Sequence, residues 1–180
     1  MKVLSIHPET QTVKEIEIEM QANTVYTFFS SISIDEFTTL KEHTISTDEN
    51  ALSKNKIPFF IGEQLVIGDA LIIGIVSQEE CDATIPIEEL NMLISYDLSQ
   101  FYKDAIRILN TADINLYRVF NVEKNNKKIE LNTEWVLYTF NIADEKTKEY
   151  FLSEIQKSVD NKLNIKEFIS KMAQLAINAS

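Results

Sequence analysis

Glycine, proline, histidine and cysteine are all scarce in this chain of 180 residues, which carries three, three, two and one of them. The lone cysteine, Cys81, excludes an internal disulfide and fits a reducing compartment. His7 and His43 are far apart, so no H-x-x-x-H or H-E-x-x-H spacing exists, nor any C-x-x-C; a metal site is not expected. No apolar run approaches the roughly 18 residues needed to cross a bilayer. The opening MKVLSIHPET has too short an apolar stretch for a secretory signal. These absences lead to the expectation of a cytoplasmic protein that needs no membrane, no metal and no cofactor.

Positive charge is the next shortage. The net charge is -11, and the first 100 residues account for it, with seventeen acidic residues against five lysines. Between Lys56 and Lys103 no basic residue occurs, while Glu63, Asp69, Glu79, Glu80, Asp82, Glu88, Glu89 and Asp97 accumulate. Direct binding to nucleic acid needs lysine and arginine to displace phosphate counterions, so it is not expected here. An acidic surface instead attracts a basic protein, or simply keeps the chain soluble. Glu79, Glu80, Asp82, Glu88 and Glu89, where QEECD leads into IEEL, are the candidate partner-binding residues.

No catalytic residue stands out. A nucleophilic thiol needs a cationic or histidine neighbour that favours the thiolate, whereas Cys81 is flanked by Glu80 and Asp82. The same acidic run lacks the alternating oxygen ligands and the glycine of a calcium-binding loop.

All three glycines fall in IGEQLVIGDALIIG, residues 61 to 74. A phosphate-cradling loop is excluded, because Glu, Asp and Ile follow the glycines where Lys and Ser or Thr are needed. The period of six survives too few cycles for a stacked β-helix. The stretch reads instead as a hairpin: strands 59–67 and 70–76 around a Gly68-Asp69 turn, with Gly62 and Gly74 inside the strands.

An N-terminal hairpin is expected from KVLSIH and the alternating EIEIEM that follows PETQ. Ser33 and Glu36 resemble a capping box before a short helix bearing Ile34, Phe37 and Leu40, and residues 44–56 read as a loop. Helical spacing recurs from Pro86 onward (Ile87, Leu90, Ile94) and again through Leu98, Phe101, Tyr102, Ala105, Ile106 and Leu109. A second hairpin is expected from residues 114–123 and 128–142, turning at Asn125-Asn126. Asp144 caps a helix burying Phe151, Leu152, Ile155 and Val159. Asn164 with Glu167 caps the last helix, whose face is Ile165, Phe168, Ile169, Met172 and Leu175.

The class is therefore α+β: antiparallel hairpins (N-terminal, glycine-bearing and aromatic-rich) packed with four to five helices. Residues 1–180 read as a single domain, in which 1–77 form a β-rich half and 78–180 a mainly helical half. Tyr117, Phe120, Trp135, Tyr138 and Phe140 crowd the late hairpin. They read as cross-strand core packing rather than a stacking platform beside Arg118, Lys124, Lys127 and Lys128.

MKVLSIHPETQTVKEIEIE, followed later by IGDALIIG, resembles uncharacterised phage- and plasmid-borne proteins that open with a similar hairpin and carry a glycine-bounded apolar strand downstream. The resemblance covers about the first 75 residues and implies a mobile-element origin without an activity. The leading functional expectation is a non-enzymatic acidic interaction protein with a basic protein partner. The alternative is a small enzyme with a carboxylate site assembled from distant residues. A homo-oligomer in which the glycine-bearing hairpin packs against its copy is also compatible with the pattern.

Overall fold

A computed structural model of the chain describes residues 1–19, 23–40, 42–52, 54–111, 120–124, 127–161 and 164–179. Among them are six helices and eleven strands, an α+β fold in which every strand pairing is antiparallel. The chain divides into two compact units, Met1–Leu98 and Ser99–Ser180.

In the first unit, β1 (Lys2–His7) and β2 (Thr12–Glu17) form the expected N-terminal hairpin, with Lys2 opposite Glu17 and His7 opposite Thr12. Then come α1 (Thr24–Phe29), β3 (Ile34–Leu40), β4 (His43–Asp48), β5 (Pro58–Ile61), β6 (Gln64–Ile67) and β7 (Ala70–Val76). The unit closes with β8 (Glu79–Cys81), α2 (Ile87–Leu93) and β9 (Ile94–Ser95). One sheet runs β2-β1-β7-β4-β3, with β8 pairing the end of β7; a smaller one runs β6-β5-β9.

The apolar run ALIIGIV becomes β7, at the centre of the larger sheet, because it is buried on both faces. Ala70 and Ile72 join Leu4, Ile6, Ile45, Phe59, Ile61, Val66 and Leu90 in one core cluster. Leu71 and Ile73 join Val3 on the opposite face, covered by Phe28 and Phe29 of α1. Each buried valine, leucine and isoleucine among these contributes about 1.5–3 kcal/mol relative to exposure.

Three expectations for this unit are corrected. The glycine-bearing hairpin is β5–β6, turning at Gly62-Glu63, and not a pairing of 59–67 with 70–76. Gly62, at φ +59°, occupies the first position of a two-residue turn where glycine is favoured, so it lies in no strand. Gly68-Asp69 links the smaller sheet to the larger one, and Gly74 is the glycine that stands inside a strand.

The expected helix at 34–40 is strand β3. Pairing shifts from Phe37 opposite Ile45 to Leu40 opposite His43, which places one extra residue on β3. That bulge turns Phe37 and Leu40 to the same core cluster despite their helix-like spacing of three.

Residues 44–48, expected to belong to a loop over 44–56, lie instead in β4, between β3 and β7. Its buried polar side chains are satisfied one by one. Ser46 Oγ donates to Glu36, and Thr47 Oγ1 lies 3.0 Å from the carbonyl of Ile67 and 3.1 Å from that of Asp69. Asp48 accepts from Ser31 Oγ, the Asn50 amide and Lys54 Nζ. Burial alone would raise the Asp48 carboxyl, yet the hydrogen bonds from Lys54, Ser31 and Asn50 outweigh it and hold the group below its ordinary value of 3.8.

A depressed carboxyl contributes stability above its unfolded value and loses it as pH falls through the folded one. Asp48→Asn is therefore expected to cost about 1–3 kcal/mol at neutral pH. The difference from wild type should shrink below about pH 3.8. Urea melts across that range check it, and a pH-independent difference would refute the assignment.

The second unit holds α3 (Gln100–Leu109), β10 (Phe120–Lys124), β11 (Lys127–Leu131), α4 (Thr133–Asn141), α5 (Glu145–Asp160) and α6 (Ile165–Ala179). Ser99 caps α3 through the Tyr102 amide, and Phe101, Tyr102, Ala105, Ile106 and Leu109 are buried as the spacing predicts. Asp144 caps α5, with the hydroxyl and then the amide of Thr147 holding its carboxyl below the usual range. Asn164 accepts from the Glu167 amide at the start of α6. On that helix Ile169, Met172, Ala173 and Ile177 are buried while Leu175 is half exposed, so the buried stripe is rotated from the expected one.

The late hairpin exists as β10–β11 but ends at Leu131. Asn132 then caps a helix through the Trp135 amide, so Trp135, Tyr138 and Phe140 sit on α4 and not on a strand. Phe140 packs inward against Phe151 at 4.4 Å between ring centroids, whereas Tyr138 is exposed. Met20, Tyr117, Arg118 and the Asn125-Asn126 turn lie outside the described residues.

Candidate functional site

The five acidic residues singled out by the charge pattern are all exposed, and all lie in the first unit. Glu79 and Glu80 stand on β8, opposite Val76 and Ile75 of β7. The two-residue loop between them, Ser77-Gln78, has φ of 53° and 69°. Two successive positive φ values are the mark of a type I′ hairpin turn, which normally recruits Asn-Gly. Held by a serine and a glutamine, this turn is strained, and nothing in the residue types announces it.

Asp82 follows β8 and accepts the Lys2 amide at 2.9 Å, while the Ala83 amide donates to the Lys2 carbonyl at 2.8 Å. Those bonds bring the acidic run beside the N-terminal hairpin. Lys2 Nζ pairs with Glu15 at 3.0 Å, and its ammonium is pushed up by that hydrogen bond and charge, with Glu17 and Asp82 adding to it. Glu15 and Glu17 thus join the cluster. They were not foreseen as members, since they lie over sixty positions upstream of Asp82.

Glu88 and Glu89 occupy the first turn of α2, a helix that packs against β2, the strand bearing Glu15 and Glu17. Carboxylates there also complement the amide-rich end of the helix, so these two have a structural role available to them. Among the described residues no cation forms an ion pair with Glu79, Glu80, Glu88 or Glu89.

Cys81 is free and partly exposed between these carboxylates. Among the described residues no group of three or more His, Cys, Asp or Glu is placed to share a metal ion, and no helix is long and apolar enough to cross a membrane.

The two histidines are both engaged. His7 Nδ1 lies 3.1 Å from Asp69 Oδ1, a partly exposed pair assembled from positions 62 apart that no local motif signals. His43 is buried, and its Nε2 accepts from the main chain at Thr84 and Ile85. Set beside known proteins, the chain matches no family model, no curated protein and no solved structure.

Proposed function

We propose that the unit Met1–Leu98 is a non-enzymatic docking module that presents an acidic face to a basic protein partner. The observation that carries this reading is the β7–β8 hairpin: Glu79 and Glu80 stand exposed without a basic partner among the described residues, on a turn whose Ser77 and Gln78 are both left-handed. Strain kept at an exposed charged loop is commoner at functional sites than elsewhere. Charge supports it too, since residues 1–98 carry seventeen acids and five lysines while the remainder carries eleven acids and twelve bases. The chemistry this face suits is electrostatic steering of a lysine- or arginine-rich surface, which weakens as salt shortens the screening length to about 8 Å at physiological ionic strength. The resemblance of the first 75 residues to phage- and plasmid-borne proteins implies a mobile-element origin, and with it the native host is the source for the pull-down.

Charge reversal tests it. Pull-downs with wild type and with Glu79→Lys/Glu80→Lys/Asp82→Lys, at low and high salt, are expected to share their weak background. The specific partner should be lost from the variant, and from wild type at high salt. A partner set identical for both proteins at both salt levels would remove the acidic face from the account.

A small enzyme with a carboxylate site drawn from distant residues is the second reading. The observation on its side is the His7–Asp69 pair, in which a carboxylate orients an imidazole. The docking reading expects Asp69→Asn to capture the partner as wild type does.

A further inference from the structure

The segment 82–85, between β8 and α2, crosses the face of the larger sheet that carries the main core cluster. Ala83 and Ile85 pack on that cluster, and Gly74 lies beneath the Asp82 main chain. His43, the cross-strand partner of Gly74, is 4% exposed and holds the segment by one ring nitrogen. Its Nε2 accepts the Thr84 amide at 3.1 Å and the Ile85 amide at 3.2 Å, with the Thr84 hydroxyl at 3.3 Å. A nitrogen that receives two N–H donors carries no hydrogen of its own, so the imidazole is in the neutral form protonated at Nδ1. A proton on Nε2 would face both donors, and protonated ring and closed segment exclude one another.

We propose that His43 is a proton-operated latch: closed when the ring is neutral, and releasing residues 82–85 when Nε2 takes a proton. Among the described residues the charged and titratable groups near it are mainly acidic, with Lys2, whose main chain bonds Asp82 and Ala83, paired to Glu15. Glu42 precedes it; Cys81 and Asp82 lie on the crossing chain, with Asp82 engaged by the Lys2 amide. Glu79 and Glu80 on β8 and Glu88 and Glu89 on α2 are exposed, and β3 brings Asp35 and Glu36, the latter bonded to Ser46. β7, which pairs with His43 directly, has no titratable residue. A new positive charge in these surroundings is drawn outward toward carboxylates, which favours the open arrangement over a buried clash. Opening would uncouple β8 from α2 and so rearrange the acidic residues, but the latch itself does not depend on the docking reading.

Amide-exchange protection of Thr84 and Ile85 is measured by NMR between about pH 7.5 and about pH 5.5, a range that brackets the value of about 6.5 for histidine in model peptides. Wild type is expected to lose about tenfold in protection at both amides per pH unit below that value, while the Ile72 amide at the sheet centre keeps its own. His43→Gln supplies an acceptor oxygen near the Nε2 position without titrating, and its protection at Thr84 and Ile85 should not change with pH. Constant wild-type protection over the range, or an equal loss in His43→Gln, overturns the proposal. Should that variant not fold, the wild-type series decides: the loss at Thr84 and Ile85 must grow as pH falls while the Ile72 amide keeps its protection, and an equal loss at all three amides overturns it.

Discussion

Phe151→Ala is expected to destabilise the second unit by about 3–5 kcal/mol, the range for removing a fully buried phenylalanine. Phe151 has no solvent exposure and is the ring on which the others converge: Phe140 stacks on it at 4.4 Å, with Phe101 at 5.7 Å and Phe168 at 6.0 Å. These rings come from α3, α4, α5 and α6, so one truncation loosens four helices together. A loss of that size is a large share of the roughly 5–15 kcal/mol that holds a domain folded. Denaturant melts of Phe151→Ala and Phe151→Leu check it, with leucine retaining much of the stability because it refills most of the volume. Unchanged melts for both would mean that the core of this unit lies elsewhere.

The second large effect is expected in the first unit, at Gly74. Its backbone needs no left-handed conformation, so the requirement for glycine is one of space. A Cβ there would collide with the Asp82 carbonyl oxygen and lie 2.9 Å from both the Asp82 carbonyl carbon and the Cys81 sulfur. Main-chain atoms cannot rotate away as the end of a side chain can, so β8 or the segment after it must move. Gly74→Ala should cost about 1–3 kcal/mol, and Gly74→Val more, as for other overpacked sites. The damage should centre on β8, with the pairing of Gly74 to Cys81 lost first. Thermal melts with exchange at the β8 amides check this, and a Gly74→Val protein that melts with wild type would contradict the close approach.

These two residues show what could and could not be read from residue order. Three of the four helices around Phe151, α3, α5 and α6, were legible because amphipathic spacing is a local signal, and Asp144 and Asn164 directly precede two of them as caps. The N-terminal hairpin was legible for the same reason, its strict alternation marking one buried face. Gly74 was placed correctly in a strand, but its partners were not, because β7 takes its neighbours from β1, β4 and β8 and not from the chain just before it. Pairing at long range has no local signature.

β3 was hidden by its bulge, which gives a strand the spacing of a helix, and β4 by polar residues whose buried partners are tens of positions away. In α4, Trp135, Tyr138 and Phe140 suggested a strand by composition, yet the cap at Asn132 decided the outcome. The acidic candidates divide likewise. Their exposure followed from charge density alone, whereas the recruitment of Glu15 and Glu17 around Lys2, and the anchoring of the same segment by His43, required the fold.

The central claim, that the acidic face of the first unit steers a basic partner, is tested most directly by association kinetics at graded ionic strength. The partner recovered by wild type would be measured against wild type and against Glu79→Lys/Glu80→Lys/Asp82→Lys. Steered association should slow steeply for wild type as salt rises, and the variant should associate slowly with little salt dependence. Equal association rates with equal salt slopes for the two proteins would contradict the account.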